Sequence, residues 1–323
     1  VSRTWVRRPL TIGGVALLGV VLLVSAPMWI VLLLIVDLVL GRWRLPTLRL
    51  CAFGLVWAWL EVAGLVGALG TWMIGRARRA SSQYALQRWW AAAIIRSLRV
   101  VCGLRIDVEG ADRVAPGPAV CLVRHASYGD ALVSAWVLGS LSRRYPRYVM
   151  KKELLLDPCL DVVGQRIPNW FVDRGSAAVR QEMAGIRSMA VGMGERDVAV
   201  IFPEGTRASD GKRVALLERL ERRSPERHAR LSELQHLLPP RATGAAVLLD
   251  AVPSASVVLM WHTGFDGLDS LSGIHRAIRR GMTRAKVTME TVDRREVPGG
   301  DEFGRWLDDR WIEMDRMVAA SSN

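Results

Sequence analysis

Two long apolar runs open the chain. No residue between Pro9 and Val36 is charged, and between Leu50 and Ile74 the one charge is Glu61. As a helix the first run extends about 42 Å, against a bilayer hydrocarbon core of roughly 30 Å. It is long enough to span with tilt or a kink, and Pro27 supplies the kink. The small residues at 24–26 ("VSA") resemble a signal-cleavage site, but Pro27 follows directly and the apolar run goes on to Val36. An uncleaved membrane segment is expected. In the second run Ala63, Gly64, Gly67 and Gly70 make a small-residue stripe suited to close helix contact. Glu61 reads either as a functional intramembrane carboxylate or as a residue near the interface of a partly inserted segment.

Arginines punctuate these runs: Arg3, Arg7 and Arg8 before, Arg42, Arg44 and Arg49 between, Arg76, Arg78 and Arg79 after. Counting positive charge mildly favours a hairpin with both ends cytoplasmic, and a hairpin dipping into one leaflet explains the basic middle loop equally well. Residues 76–100 have a helical pattern that mixes arginine with Trp89 and Trp90. They suit an interfacial helix, or the first helix of a domain with its apolar face inward.

From about residue 100 the pattern changes. Short apolar runs fit strands at Leu104–Val108, Ala119–Val123, Tyr148–Met150, Trp170–Val172, Val198–Phe202, Ser256–Trp261 and Val287–Thr291. Helical patterns lie near 130–142, 176–193, 213–237 and 303–320, so the alternation predicts a layered α/β domain. Residues 209–236 are charge-dense and interrupted by Pro225, as in a solvated helix pair inserted between strands. Glu233 and His236 stand one turn apart there, a spacing far more often surface decoration than a metal site. Region 263–285 reads as a basic loop, and 292–323 as ending in a helix. The chain thus divides into a membrane-anchoring hairpin (1–75), a basic interfacial helix (76–100) and an α/β domain (101–323) with a helical insertion near 209–237.

Composition sharpens this picture. Half of the 323 residues are hydrophobic, which is high for a soluble protein, and the net charge is +13. A basic, apolar chain points to an anionic membrane surface or nucleic acid; no nucleic-acid motif is present, so membrane lipids are the expected partner. Cys51, Cys102, Cys121 and Cys159 show no paired spacing, so no disulfide framework or zinc site follows, and free thiols in a reducing compartment are expected.

Three stretches carry chemistry. His125 follows the strand-like run ending at Val123, and Asp130 comes five residues later at a helix start. An imidazole is a natural base near neutral pH, and a carboxylate on its second nitrogen fixes the tautomer. That pairing works if His125 is in the loop and Asp130 in the first helical turn. "FPEGTR" (202–207) follows the run "VAVI", which sets a loop at the carboxyl end of a strand, where α/β sheets build their sites. Gly205 allows close backbone approach, and Arg207 can fork onto a phosphate. "FVDR" (171–174) repeats the strand-then-arginine pattern and offers Arg174 as a second anion ligand.

In this order the His-x4-Asp box, Phe171 with Arg174, and the Phe-Pro-Glu-Gly-Thr-Arg stretch resemble the glycerolipid acyltransferase superfamily, and within it the 1-acylglycerol-3-phosphate (lysophosphatidic acid) acyltransferases. "KKELLLDP" (151–158) is similar to the lysine-rich stretch between that family's first two motifs. The resemblance covers roughly residues 100–262. "LQHLLPPRATGAA" (234–246), with the helical insertion, is similar to a longer branch that includes lysocardiolipin-type enzymes. The resemblance implies an α/β acyltransferase domain with a central mixed sheet flanked by helices, after an N-terminal membrane hairpin. It implies His125 as general base with Asp130 as its partner. Lys151 (or Lys152), Phe171, Arg174, Glu204, Gly205, Thr206 and Arg207 would bind substrate and its phosphate. Arg124 stands where the family usually has Asn, Pro168 where it usually has Gly, and 256–261 lacks the usual Pro; these departures bear on the acceptor.

The implied reaction moves a fatty acyl group from acyl-CoA or acyl carrier protein to the hydroxyl of lysophosphatidic acid, giving phosphatidic acid. No metal or other cofactor is required. An acyl-Ser127 intermediate is disfavoured, since the motif makes no demand on that position. The expected location is the cell membrane, with the catalytic domain on the cytoplasmic side where acyl donors reside. Two alternatives remain: another lysophospholipid or glycolipid acceptor, and a non-catalytic lipid-binding membrane protein.

Overall fold

The computed structural model describes residues 4–173, 179–282 and 284–321. In chain order its elements are α1 (Thr4–Val24), α2 (Ala26–Val39), α3 (Pro46–Met73), α4 (Ala80–Ser97), β1 (Arg105–Glu109), β2 (Ala119–Val123), α5 (Asp130–Trp136), β3 (Tyr145–Lys151), α6 (Pro158–Val162), β4 (Trp170–Val172), α7 (Val179–Ala190), β5 (Asp197–Ile201), α8 (Asp210–Arg223), α9 (Pro225–Leu231), α10 (Ala242–Ala251), β6 (Ser256–Thr263), α11 (Leu271–Arg280), β7 (Arg284–Val292) and α12 (Glu302–Ala320). All seven expected strands form. The chain makes two compact units, one of Val1–Arg105, Met150–Arg174 and Ser270–Arg284, the other of Ile106–Val149, Gly175–Asp269 and Ala285–Asn323.

The sheet has seven strands in the order β1-β7-β6-β2-β5-β3-β4. It is mixed: β2 runs parallel to β5 and β6, β3 parallel to β5, and β7 antiparallel to β6. β2 is buried at every position because it has a strand on either side and helices cover the sheet. Only an uninterrupted apolar run, here Ala-Val-Cys-Leu-Val, survives in such a strand. α12 contributes Phe303, Leu307, Trp311, Met314 and Val318, spaced three or four apart and all buried. Each large apolar side chain so buried stabilises the fold by about 1.5–3 kcal/mol.

The charge-dense insertion is two helices, the second opening at Pro225, and no residue of α8 is fully buried. α9 is tied down by Arg227, which forks onto Asp308 of α12 at 2.7 and 2.8 Å. Glu233 pairs with Arg316 at 2.9 Å, as a surface residue does. α10 and α11 were not expected. The first is short and contains Gly244; the second lies within the stretch read as a basic loop.

In the first unit the leading apolar run is two helices. Ser25 separates them, its hydroxyl donating to the Val21 carbonyl, and Pro27 lies in the first turn of α2. α1 and α3 are each long and apolar enough to cross a membrane by length and composition. α3 is held along its whole length. The buried Asp37 carboxylate accepts from the backbone N–H of Thr47 and Leu48, and the Thr47 hydroxyl meets His275 of α11 at 3.1 Å. Midway, Glu61 accepts from the Trp90 indole (3.0 Å) and from the Cys159 backbone N–H (3.1 Å). At the far end Arg166 donates to the Ala68 carbonyl.

Glu61 is therefore a buried clasp among α3, α4 and α6. The small-residue stripe serves the same contacts: Gly64 lies against Cys159 and Trp90, and Gly67 against Leu86, while Gly70 faces open space. α4 buries Tyr84, Ala91, Ile94 and Ile95 and leaves Trp89 exposed, so its inward packing and its amphipathic outer face coexist. The four cysteines are free thiols.

Candidate active site

β6, β2 and β5 lie side by side and parallel, so their carboxyl ends reach one edge of the sheet. The register pairs Val123 with Met260, and the Arg124 N–H continues the ladder onto the Met260 carbonyl at 2.9 Å. Two residues past each of these positions stand His125 and His262.

The turn after β2 folds around Asp130. Its Oδ2 accepts from His125 Nδ1 (2.9 Å) and from the backbone N–H of Ala126 (2.6 Å) and Ser127 (2.8 Å). Its Oδ1 accepts from the Ser127 hydroxyl. This carboxylate caps the start of α5 and orients the imidazole at once. With Nδ1 facing a carboxylate, the proton resides there and Nε2 keeps its lone pair. Among the described residues nothing hydrogen-bonds Nε2. The His125 side chain is one-fifth exposed and its ring lies on Phe202, centroids 4.7 Å apart.

His262 approaches the same carboxylate from β6. Its Nε2 is 3.1 Å from Oδ1, an ion-pair distance, though off the line a hydrogen bond needs. Burial opposes charge on Asp130, yet the imidazoles of His262 and His125 hold its carboxyl well below the usual range.

Glu204 stands behind His125. One carboxyl oxygen accepts the His125 backbone N–H at 2.7 Å and the other the Leu238 N–H at 3.0 Å. Burial pushes this carboxyl up to about 8, against the pull of those two N–H groups and of Arg124. Glu204 thus holds the backbone that carries the imidazole. Gly205 has φ +71° and turns back so that its N–H meets the Phe202 carbonyl. That region of conformational space disfavours any residue with a Cβ. The Arg207 guanidinium lies 3.7 Å over the Tyr128 ring. Lys212 reaches the Thr206 hydroxyl and the Arg207 carbonyl, and the Arg241 guanidinium packs against Gly205.

Of the residues singled out from the sequence, His125, Asp130, Glu204, Gly205, Thr206 and Arg207 fall within one strand-end cluster. Lys151 ends β3 and Phe171 sits in β4 with its ring against Gly164; both belong to the first unit. Lys152 pairs with Asp173 at 3.0 Å. Arg174 lies outside the described residues. Ser127 is buried and its hydroxyl is taken by Asp130, a poor position for a nucleophile. Arg124 is fully buried and holds the His262 carbonyl and Asp266. His262 was missed, as were Arg241 and Lys212. The signal for His262 was its place at the end of an apolar strand, the same position His125 holds after β2.

Residues 105–248 match the family model Acyltransferase. The segment is similar to that family over a little under half of the chain. The matched segment holds both the His125–Asp130 pair and the 202–207 loop, so the resemblance read from the motifs is borne out. The structure is similar to that of PlsC from Thermotoga maritima, a 1-acyl-sn-glycerophosphate (LPA) acyltransferase. The TM-score is 0.53 at 15% identity, covering 86% of this chain and 95% of that one. At that identity the likeness is one of fold, and it extends to the layered mixed sheet flanked by helices. No curated protein sequence matches the chain.

Proposed function

We infer that this chain transfers a fatty acyl group from acyl-CoA or acyl carrier protein to the free hydroxyl of lysophosphatidic acid, yielding phosphatidic acid. The observation that carries this reading is an imidazole with Nδ1 committed to Asp130 and Nε2 open, beside a loop that bears Arg207. Nε2 of His125 accepts the proton of the acceptor hydroxyl as its oxygen attacks the thioester carbonyl. The tetrahedral adduct collapses, the C–S bond breaks, and the imidazolium returns the proton to the leaving thiolate. General-base catalysis of this kind contributes about 10²- to 10⁴-fold. Asp130 stays ionised throughout and stabilises the imidazolium. Arg207, with Arg241 and Lys212 against the same loop, supplies cations for the acceptor phosphate, and on the motif resemblance we assign Lys151, Phe171 and Arg174 to substrate binding as well.

The membrane hairpin fits a lipid acceptor. A single-leaflet arrangement accounts best for α3, whose two ends and middle all bond to groups of the same unit, and we assign the catalytic domain to the cytoplasmic side of the cell membrane because acyl donors reside there. A spanning α3 would put α11, which meets Thr47, and Arg166, which bonds Ala68, at opposite faces of the bilayer although both belong to one unit.

The test is acyl transfer by the detergent-solubilised protein, with labelled acyl-CoA and lysophosphatidic acid, beside a folded His125→Ala control. Phosphatidic acid formed by the wild type alone supports the reading. Equal product from both proteins overturns His125 as base, and faster transfer to lysophosphatidylglycerol overturns the acceptor.

A further inference from the structure

α1 and α3 run antiparallel, with Gly19 against Ala58 and Trp59. Between them lies an open groove of about 560 Å³, within the range of small-molecule sites. Its walls are Ile12 and Ala16 of α1, Leu65, Leu69 and Trp72 of α3, and Val162 of α6. Along α3 it extends about 15 Å, the rise of ten helical residues. Nothing on these walls is polar except at one end, where Arg166 closes the groove.

That end is rich in positive charge. Arg7 forks onto the buried Asp161 at 2.8 and 3.0 Å, and Arg8 reaches the same carboxylate at 3.4 Å. Arg166 pairs with no carboxylate among the described residues. Its Nη1 is anchored on the Ala68 carbonyl and the Thr71 hydroxyl, and no described group takes its other N–H donors. Burial, and then the nearby Arg8 guanidinium, both act against its charge. Among the described residues one carboxylate therefore faces the Arg7 and Arg8 guanidinium groups while that of Arg166 has no carboxylate, at the mouth of an apolar trough on a hairpin rich in exposed apolar residues. Trp72 lines this mouth, as indoles do at a membrane interface.

We propose that this groove is a binding site for an anionic phospholipid of the bilayer, with its phosphate on Arg166 and Arg8 and an acyl chain lying between α1 and α3. The charge pattern selects the ligand. A zwitterionic lipid brings its own cation to a cationic mouth, and a free phosphate leaves the apolar trough unfilled. The site is separate from His125 and does not depend on the acyl-transfer reading.

The test uses the full-length protein in phosphatidylcholine vesicles carrying either dibrominated phosphatidylglycerol or dibrominated phosphatidylcholine. Quenching at Trp72 is taken as the difference between wild type and Trp72→Phe. Quenching by the anionic lipid is expected to be stronger by about fivefold, the factor for one cation at an anionic surface, and to fall with added salt. Arg166→Gln should abolish the preference while chain quenching persists. Ala16→Phe, which fills the trough, should reduce quenching by both lipids. Equal quenching by the two lipids in the wild type overturns the proposal, as does an undiminished preference in folded Arg166→Gln. Unchanged quenching in Ala16→Phe overturns the placement of the chain.

Discussion

Replacing Asp130 by Asn separates orientation from charge at the proposed base. Three N–H groups converge on Oδ2, two of them backbone, and a hydroxyl donates to Oδ1. The backbone donors cannot turn away, so the amide must set its oxygen in the Oδ2 position, and His125 keeps its Nδ1–H tautomer. What is lost is the negative charge. Charge-assisted hydrogen bonds contribute about 1.5–3 kcal/mol against about 0.5–1.5 for neutral ones, so three weakened bonds cost about 3 kcal/mol of stability. Relief from burying a charge offsets part of that. In the reaction the imidazolium forms without its counter-charge. At an effective dielectric of about 20 and a separation of about 4 Å the missing attraction is about 4 kcal/mol, or roughly 10³-fold in kcat. The assay is acyl transfer to lysophosphatidic acid at saturating acceptor, with circular dichroism to verify folding. KM should change little, because Asp130 touches no substrate in this scheme. A folded Asp130→Asn protein with kcat within about tenfold of wild type would refute the assignment.

His262→Asn removes the second imidazole from Asp130 without touching the open Nε2 of His125. A kcat loss of about tenfold is expected, far less than for His125→Ala, together with a shifted pH–rate profile; an unmoved profile would reduce His262 to packing. Glu204 makes stability depend on pH. Its folded carboxyl holds a proton up to about 8, whereas the unfolded group releases it near 4.5. The folded chain therefore binds more protons between those values, and this contribution is full below the lower one and lost as pH rises through the upper. Thermal unfolding of wild type across that window should show the loss, and Glu204→Gln should flatten it; parallel curves would count against the buried acid. A Cβ added at Gly64 would lie 2.6 Å from Cys159 Sγ, whereas one at Gly70 meets nothing within 4 Å. Gly64→Ala should cost about 1–3 kcal/mol and Gly70→Ala should be neutral or gain up to about 1, and equal unfolding temperatures would contradict this packing of α3.

What the sequence determined by itself is local. The strands were readable because short apolar, β-branched runs sit between glycines, prolines and charges, and a pattern of two or of three to four residues survives without its partners. The His125–Asp130 pair was readable for the same reason: both ends of that bond belong to one turn. The break at Pro27 and the split at Pro225 needed only the missing N–H of proline.

The tertiary structure decided every partner distant in sequence. Glu204 is 79 residues from the N–H it receives, and His262 reaches Asp130 only because β6 is the neighbour of β2. Strand order leaves no trace in local periodicity, so neither contact could be read from the chain. Arg124 looked like a residue bearing on the acceptor, and its full burial against Asp266 makes it an internal tie. Glu61 looked like an isolated charge in an apolar run until Trp90 and the Cys159 N–H were brought onto it. A polar residue's type announces that it needs a partner, and only the folded chain, which must satisfy every buried charge and N–H, determines which partner that is.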